Sequence, residues 1–402
     1  MKNTTYQNTF IAKTFAGLEQ VLAEELRQLG SSEATTLRRG VVFRGDQQLL
    51  YRANIWSRCA ISILRPLSDF SFSSRESFYE NMQAIDWTGL FSKEKTISVI
   101  ATAHESEVFN NTMFLAQLSK DAIVDSFSAK YGSRPDVDSS GAQVRIVVNV
   151  MGDSCKVSLD SSGDALFKRG YRRATGQAPI NEVLAAGLIK LSGWDSESPF
   201  FDPMCGSGTF PIEAALMSAN IAPGKDRKVF GFSHWNDFDP KLLKAEKERA
   251  DDSQTSVRAR ISASDIMGNM LDIVRHNVMD AGLLGSIEIR KQDFFSLHPR
   301  ETSGVVMINP PYGHRMNRHN VKELYAKMGD SLKHRFAGFR AGVISAELEA
   351  IGHLGLKPEA RHIVFNGPLK CTFNIYDLFK GRRNDYKAGK NTGTRKRIQK
   401  RN

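Results

Sequence analysis

A chain of 402 residues, 41% of them apolar, can bury a large core divided over two or three domains, and its net charge of +11 suits a polyanionic partner. It has no run of about 18 apolar residues and no basic segment followed by an apolar stretch at its start, so no membrane span or secretory signal is expected and the reading is cytoplasmic. The four cysteines, Cys59, Cys155, Cys205 and Cys371, lack paired spacing, so neither a disulfide framework nor a metal site is expected.

NTFIAKTF reads as a strand, and GLEQVLAEELRQLG as a helix with Leu18, Val21, Leu22, Leu26 and Leu29 on one face and Gly30 closing it. ATTLRRGVVFRGD reads as one extended segment, QQLLYRANIWSR as a second helix and AISILRPL as another strand, together a small α+β layer. From Phe70 the pattern repeats with new spacing: RESFYENMQAIDW a helix, TISVIATAH a strand, FLAQLSKDAIVDSFSAKYG a long amphipathic helix, then VRIVVNV and CKVSLDSSG, two strands about a turn at Met151 to Ser154.

The next stretch, LFKRGYRRATGQAPINEVLAAGLIKLSGW, clusters Lys168, Arg169, Arg172 and Arg173 around Tyr171. Basic and aromatic side chains interleaved in this way suit a nucleic-acid backbone with an unstacked base, and an apolar helix follows from Asn181 to Leu191.

FFDPMCGSGTFPIEAAL then reads as strand, tight loop and helix, with Pro211 in the first turn, where no hydrogen-bonded N–H is lost. A phosphate-cradling P-loop needs Gly-Lys-Ser/Thr, but Thr209 and Phe210 follow Gly208. A dinucleotide fingerprint needs a third glycine where Pro211 stands, which weakens a nicotinamide cofactor without excluding it. The third option is a cofactor with an adenosine, no phosphate and a positive group facing Asp202: S-adenosylmethionine.

RARISASD, SIEIRKQD and SGVVMINPPYG follow as strands ending at Asp265, Asp293 and Asn309; MLDIVRHNVMDAG is a helix, FRAGVISAE a further strand, and RHIVFNGPLKCTFNIYDL a hairpin about Asn366-Gly367. Alternating strands and helices closed by a hairpin predict an α/β domain with a mostly parallel, doubly wound sheet. Ligands bind such sheets beyond the carboxyl ends of the strands, where Asp202, Asp265, Asp293 and Asn309 fall. Asp265 suits both ribose hydroxyls and Asp293 the adenine amine, with Phe294 or Ile266 over the ring and the Gly206 to Thr209 amides at the amino-acid end. Asp265 follows Asp202 by 63 residues instead of about 20, so the insertion NIAPGKDRKVFGFSHWNDFD is expected to loop out near the site.

Asn309-Pro310-Pro311-Tyr312 is the most specific feature. Two acceptors, the Asn309 side-chain oxygen and the Pro310 carbonyl, can take the hydrogens of a planar exocyclic amine and favour its pyramidal form. Paired prolines hold them rigidly and Tyr312 offers a stacking face. Finally, the 23 residues from Lys380 carry ten Lys or Arg against one acid, Asp385, leaving about +2 for the rest; this reads as a basic, disordered tail drawn to nucleic acid.

DPMCGSGTFPIEAA, NIAPG and NPPYG, with APINEVLAAGLI upstream, resemble the class I S-adenosylmethionine-dependent RNA methyltransferases that carry a THUMP domain, in particular the RlmL-like enzymes that methylate guanine N2 in large-subunit ribosomal RNA. The resemblance implies a ferredoxin-like domain over 1–65, an RNA-binding THUMP domain over 66–165, a Rossmann-like seven-stranded methyltransferase domain over 166–380 and the tail over 381–402. It implies cofactor contacts at Ile180, Glu182, Asp202, Met204, Gly206, Ser207, Gly208, Thr209, Asp265, Ile266, Asp293, Phe294 and Asn309. It implies target-amine chemistry at Asn309, Pro310, Pro311 and Tyr312; in-line displacement at a sulfonium methyl needs no metal, and the basic and aromatic interleaving points to RNA contacts at Lys168, Arg169, Tyr171, Arg172 and Arg173. Ribosomal RNA (23S) is the expected substrate. Enzymes acting on tRNA guanine N2 share the layout, adenine-N6 methylation suits the same amine motif, and a non-catalytic RNA-binding or ribosome-assembly factor is the reading from another class.

Overall fold

The computed structural model describes residue 6 and residues 8–172, 179–311 and 318–380; Arg173, Tyr312 and the basic tail 381–402 lie outside these described residues. The chain divides into two compact units, Met1–Arg169 with Ala222–Gln254, and Gly170–Ile221 with Thr255–Asn402.

The first unit begins β1 (Thr9–Lys13), α1 (Glu19–Gln28), β2 (Glu33–Leu37), β3 (Gly40–Arg44), α2 (Gln47–Trp56) and β4 (Ser62–Ser71). Helix α1 turns Leu22, Ala23 and Leu26 inward and stops at Gly30, whose φ of +111° lets Ser31 N–H reach back to Leu26 O at 3.0 Å. β2 and β3 are two strands of a hairpin about Arg38 and Arg39, not the single extended segment expected, and Arg39 takes a φ of +59° there.

The chain continues through α3 (Arg75–Gln83), α4 (Trp87–Leu90), β5 (Ile97–His104), α5 (Thr112–Tyr131), β6 (Val144–Met151) and β7 (Ser154–Asp160). All seven strands join one sheet in the order β2-β3-β1-β4-β7-β6-β5. The ten-residue β4 pairs with β1 at its start and with β7 along the rest, the register shifting between Pro66 and Ser68.

The second unit opens with α6 (Glu182–Leu191), capped by the Asn181 side chain, then β8 (Phe200–Asp202) and α7 (Thr209–Ser218). The insertion that follows, including α8 (Pro240–Asp252), does not loop out freely as expected, because residues 222–254 pack into the first unit. Phe230, Phe232 and Trp235 are buried in its core, the Phe232 ring stacks on Tyr51 at 4.1 Å, and Gly224 N–H bonds Ile55 O at 2.8 Å. Apolar side chains of this size gain too much by burial to stay in solvent.

The chain then returns as β9 (Ile261–Asp265), α9 (Gly268–Asp280), β10 (Ile287–Lys291), β11 (Gly304–Ile308), α10 (Arg318–Arg335), β12 (Phe339–Ser345), β13 (Ala360–Asn366) and β14 (Leu369–Asp377). The second sheet has the order β10-β9-β8-β11-β12-β14-β13. β8 to β12 are parallel, while β14 runs antiparallel between β12 and β13. This is the doubly wound, mostly parallel sheet with a terminal hairpin that the alternation predicts. Strand order reverses at β8 and β11, which opens a crevice at their carboxyl ends. Among the described residues no helix is long and apolar enough to cross a membrane.

Candidate active site

Three loops meet at the carboxyl ends of β8, β9 and β10. The loop after β8 bends through Gly206 (φ +53°) and Gly208 (φ +83°), and α7 starts directly behind it without a side-chain cap. The two glycines serve different ends. A Cβ on Gly208 would sit 2.9 Å from Val274 Cγ1 of α9, whereas one on Gly206 would meet no protein atom within 4 Å. Gly208 therefore permits close helix packing, and Gly206 borders open space where a ligand can reach backbone amides.

Asp265 ties the loops together: Gly206 N–H donates to its Oδ2 at 3.0 Å and Met267 N–H to its Oδ1 at 2.9 Å. Cys205 N–H bonds Ser264 O at 3.0 Å, and Asn277 of α9 donates from Nδ2 to Ser207 O at 3.0 Å. Asp202 is 2% exposed and accepts from Met204 N–H at 3.3 Å. Burial, reinforced by the charge on Asp265 and only partly offset by that hydrogen bond, holds the Asp202 carboxyl well above the usual carboxylate range. Burial pushes the Cys205 thiol up as well, so Cys205 is a packing residue and no nucleophile.

Asp293 accepts from Phe295 N–H at 3.0 Å and caps a short 3-10 turn over Phe294–Ser296. Phe294 is 2% exposed and lies in the core against Phe336, which corrects the expectation that it covers an adenine ring. Ile266, 64% exposed, has a free face. At the end of β11, Pro310 is buried, and the Oδ1 of Asn309 is buried with no hydrogen-bond partner among the described residues. Tyr312 lies outside them.

Family models match three consecutive stretches of the chain: an RlmL ferredoxin-like domain over residues 9–64, a THUMP domain over 72–160 and an RMKL-like methyltransferase domain over 169–375. The chain belongs to the RMKL-like methyltransferase family. A Synechocystis protein provisionally named an RNA methyltransferase is 37% identical over 372 residues, 92% of this chain and 97% of that protein. A provisionally named methyltransferase solved with S-adenosylhomocysteine is 29% identical, with a TM-score of 0.85 over 93% of this chain and 99% of its own. A Listeria monocytogenes structure named "predicted N6-adenine-specific DNA methylase" is 29% identical, with a TM-score of 0.82 over 92% of this chain and 95% of its own.

In this methyltransferase the basic cluster before α6 turns largely inward, which corrects its reading as an RNA surface. Tyr171 is 3% exposed and its hydroxyl bonds Glu213 Oε1 at 2.9 Å, so its ring cannot stack on a base. Arg169 donates to Leu166 O and Arg58 O at 3.2 and 2.8 Å. Arg172 pairs with Glu182 Oε1 at 2.9 Å and donates to Ile180 O at 2.8 Å and Thr209 Oγ1 at 2.7 Å. These guanidinium groups satisfy carbonyls that helix and sheet leave open. Lys168 alone of the four described residues is exposed, paired with Asp164 at 3.3 Å.

The same bonds show what sequence reasoning missed. Arg172 clamps the start of α6 to the first residue of α7, so Ile180 and Glu182 support the glycine loop from behind. Asn277 holds the loop from α9; its signal was a polar residue in the buried stripe Leu271, Val274, Val278.

Proposed function

We propose that this methyltransferase transfers the methyl group of S-adenosylmethionine to the exocyclic N2 amine of a guanosine in large-subunit (23S) ribosomal RNA. The observation that carries the reading is the buried Asn309 Oδ1, an acceptor without a partner among the described residues, in the crevice at the end of β11. Buried acceptors are normally satisfied, so an open one here suits a donor that arrives with substrate. An exocyclic amine is such a donor. Asn309 Oδ1 and the Pro310 carbonyl would take its two hydrogens, draw the nitrogen lone pair out of the ring and stabilise the charge that develops on nitrogen.

The residues fit the cofactor. Open space beside Gly206 and the uncapped start of α7 suit its amino-acid end, with Asp202 opposite the ammonium group. Asp265, whose Oδ2 accepts from Gly206 N–H and Oδ1 from Met267 N–H, retains lone pairs for the ribose hydroxyls. Asp293 takes the adenine amine, Ile266 covers the ring, and Met204, Ser207, Gly208 and Thr209 shape the loop, while Ile180 and Glu182 act through Arg172. When bound, the cofactor supplies an electrophilic methyl on a sulfonium. The protein's task is then to position the amine, which alone can supply a large part of the rate.

RNA as substrate is supported by the THUMP domain match and the name of the Synechocystis relative. The Listeria relative's name supports a second reading, adenine N6, because the same pair of acceptors serves either amine. Nucleoside mass spectrometry of ribosomal RNA and tRNA, from cells with and without the gene, separates them. Loss of N2-methylguanosine from 23S RNA is expected. Its loss from tRNA moves the substrate, loss of N6-methyladenosine supports the second reading, and unchanged RNA and DNA refute both.

A further inference from the structure

The β13–β14 hairpin outgrows the sheet that carries it. The β12–β14 ladder ends at Ser345↔Thr372, whereas β13 and β14 go on pairing through Val364↔Cys371, Phe365↔Lys370 and Asn366↔Leu369. Ile308 pairs with Val343, so two residues on Pro310 stands level with Ser345, and so with Thr372. Leu369 is three residues beyond that level, about 10 Å above it at 3.2–3.4 Å per residue, and two strand spacings, about 9.5 Å, to the side. The tip thus rises over the rim of the crevice that holds Asn309.

Its chemistry is specific. Gly367 turns at φ +62°, and Gly367, Pro368, Leu369 and Lys370 are all exposed. Side chains alternate along a strand, so Leu369 continues the face of Phe373 and Cys371; those two are fully buried, while Leu369 is 43% exposed. Lys370 points to the other face, and from Ala360 to Cys371 there is Arg361 but no acid. An exposed apolar side chain beside a lysine at a hairpin tip suits a wedge between base steps.

Resting on the function proposed above, we propose that Leu369 fills the gap left in an RNA stack when the target nucleotide swings out toward Asn309, and that Lys370 takes an adjacent phosphate. A base inside a helix must be extruded to reach a recessed site, and whatever occupies its place favours the extruded state.

The test measures labelled methyl incorporation into 23S RNA and bulk tRNA purified from cells lacking the gene. Each RNA is supplied folded and also cut to fragments of about 20 nucleotides, in which the target is largely unpaired. Leu369→Ala should slow transfer to the folded RNA about tenfold and to the fragments by roughly twofold or less, with Leu369→Phe retaining most of the rate. Affinity for S-adenosylmethionine and the melting temperature should not change. Lys370→Ala should weaken RNA binding and lower its salt slope by about one. Equal loss on folded RNA and fragments, or no loss on either, would overturn the wedge. If the unaltered enzyme methylates neither RNA, the reading beneath it falls and the wedge with it.

Discussion

Asn309→Ala separates the chemistry of this site from its architecture. In the resting protein the substitution removes a buried oxygen that has no hydrogen-bond partner among the described residues. An unsatisfied buried polar atom costs about 1–3 kcal/mol, so its removal offsets the lost packing, and the melting temperature should hold or rise by a few degrees. In the proposed transfer the same oxygen is one of two acceptors on the amine. Loss of a preorganised group of that kind costs about 2.7–4 kcal/mol, or 10²–10³ in kcat. Titration calorimetry with S-adenosylmethionine should show affinity within about threefold of the unaltered protein, because Asp202, the glycine loop and Asp265 stay in place. Methyl incorporation into RNA from cells lacking the gene measures the rate, and differential scanning measures stability. Equal losses of cofactor affinity and rate would refute the assigned role, as would a melting temperature lowered by more than about 5 °C, which would make Asn309 a structural residue.

Other outcomes follow from neighbouring residues. Because the folded-state pKa of Asp202 is raised, the folded protein holds this proton more tightly than the unfolded chain, and the contribution of Asp202 to stability falls as pH rises above the ordinary carboxylate value of about 3.9. Asp202→Asn should therefore raise the melting temperature at pH 8, with a gap that closes toward pH 4, and weaken binding of S-adenosylmethionine; a lower melting temperature at pH 8 would contradict the argument. The two loop glycines should part company: both alanine variants carry about 1–2 kcal/mol of left-handed strain, but Gly208→Ala adds about 1–3 kcal/mol from the contact with Val274. Urea unfolding should therefore rank Gly206→Ala as the more stable variant, and the reverse order would refute the packing role of Gly208. In the first unit Glu246 is fully buried and held by Arg52, whose side chain stays 22% exposed, so Glu246→Ala should cost about 2–3 kcal/mol, below the 3–5 typical of an enclosed pair. A change under about 0.5 kcal/mol in the same unfolding experiment would show the pair to be inert.

How much of this was legible depended on whether the signal was local. The second sheet was legible because strand ends and helix starts are marked by residues with one job each: Asp202, Asp265 and Asn309 after apolar runs, Asn181 as a cap, Gly367 in a tight turn. The β2–β3 hairpin was not, because Arg38 and Arg39 make its turn where glycine, asparagine or aspartate would have announced it. The insertion read as a free loop because three aromatic rings say that a segment packs, and nothing about which unit receives it. Composition failed most clearly at Tyr171 and Arg172: charge in a sequence has no direction, and only the Glu182 and Glu213 partners turn these residues inward.

Three uncomfortable groups of this fold lie at the carboxyl ends of the second sheet's strands. Asp202 is buried with its pKa raised, and Asn309 buries an unanswered acceptor. Gly206 meanwhile holds a left-handed turn beside space that no protein atom fills. Elsewhere in the second unit a buried carboxylate such as Glu182 has its ion pair and a buried tyrosine such as Tyr325 its hydroxyl partner. A chain selected for stability alone would neutralise the first, satisfy the second and fill the third. In the function proposed, each would be relieved by one kind of newcomer: a cation opposite Asp202, an amine at Asn309, backbone-bound polar atoms at Gly206. A methyl donor with an ammonium group and an acceptor base with an exocyclic amine would meet all three requirements together, whereas a nicotinamide dinucleotide, which brings phosphates toward a buried acid, would leave the first unmet.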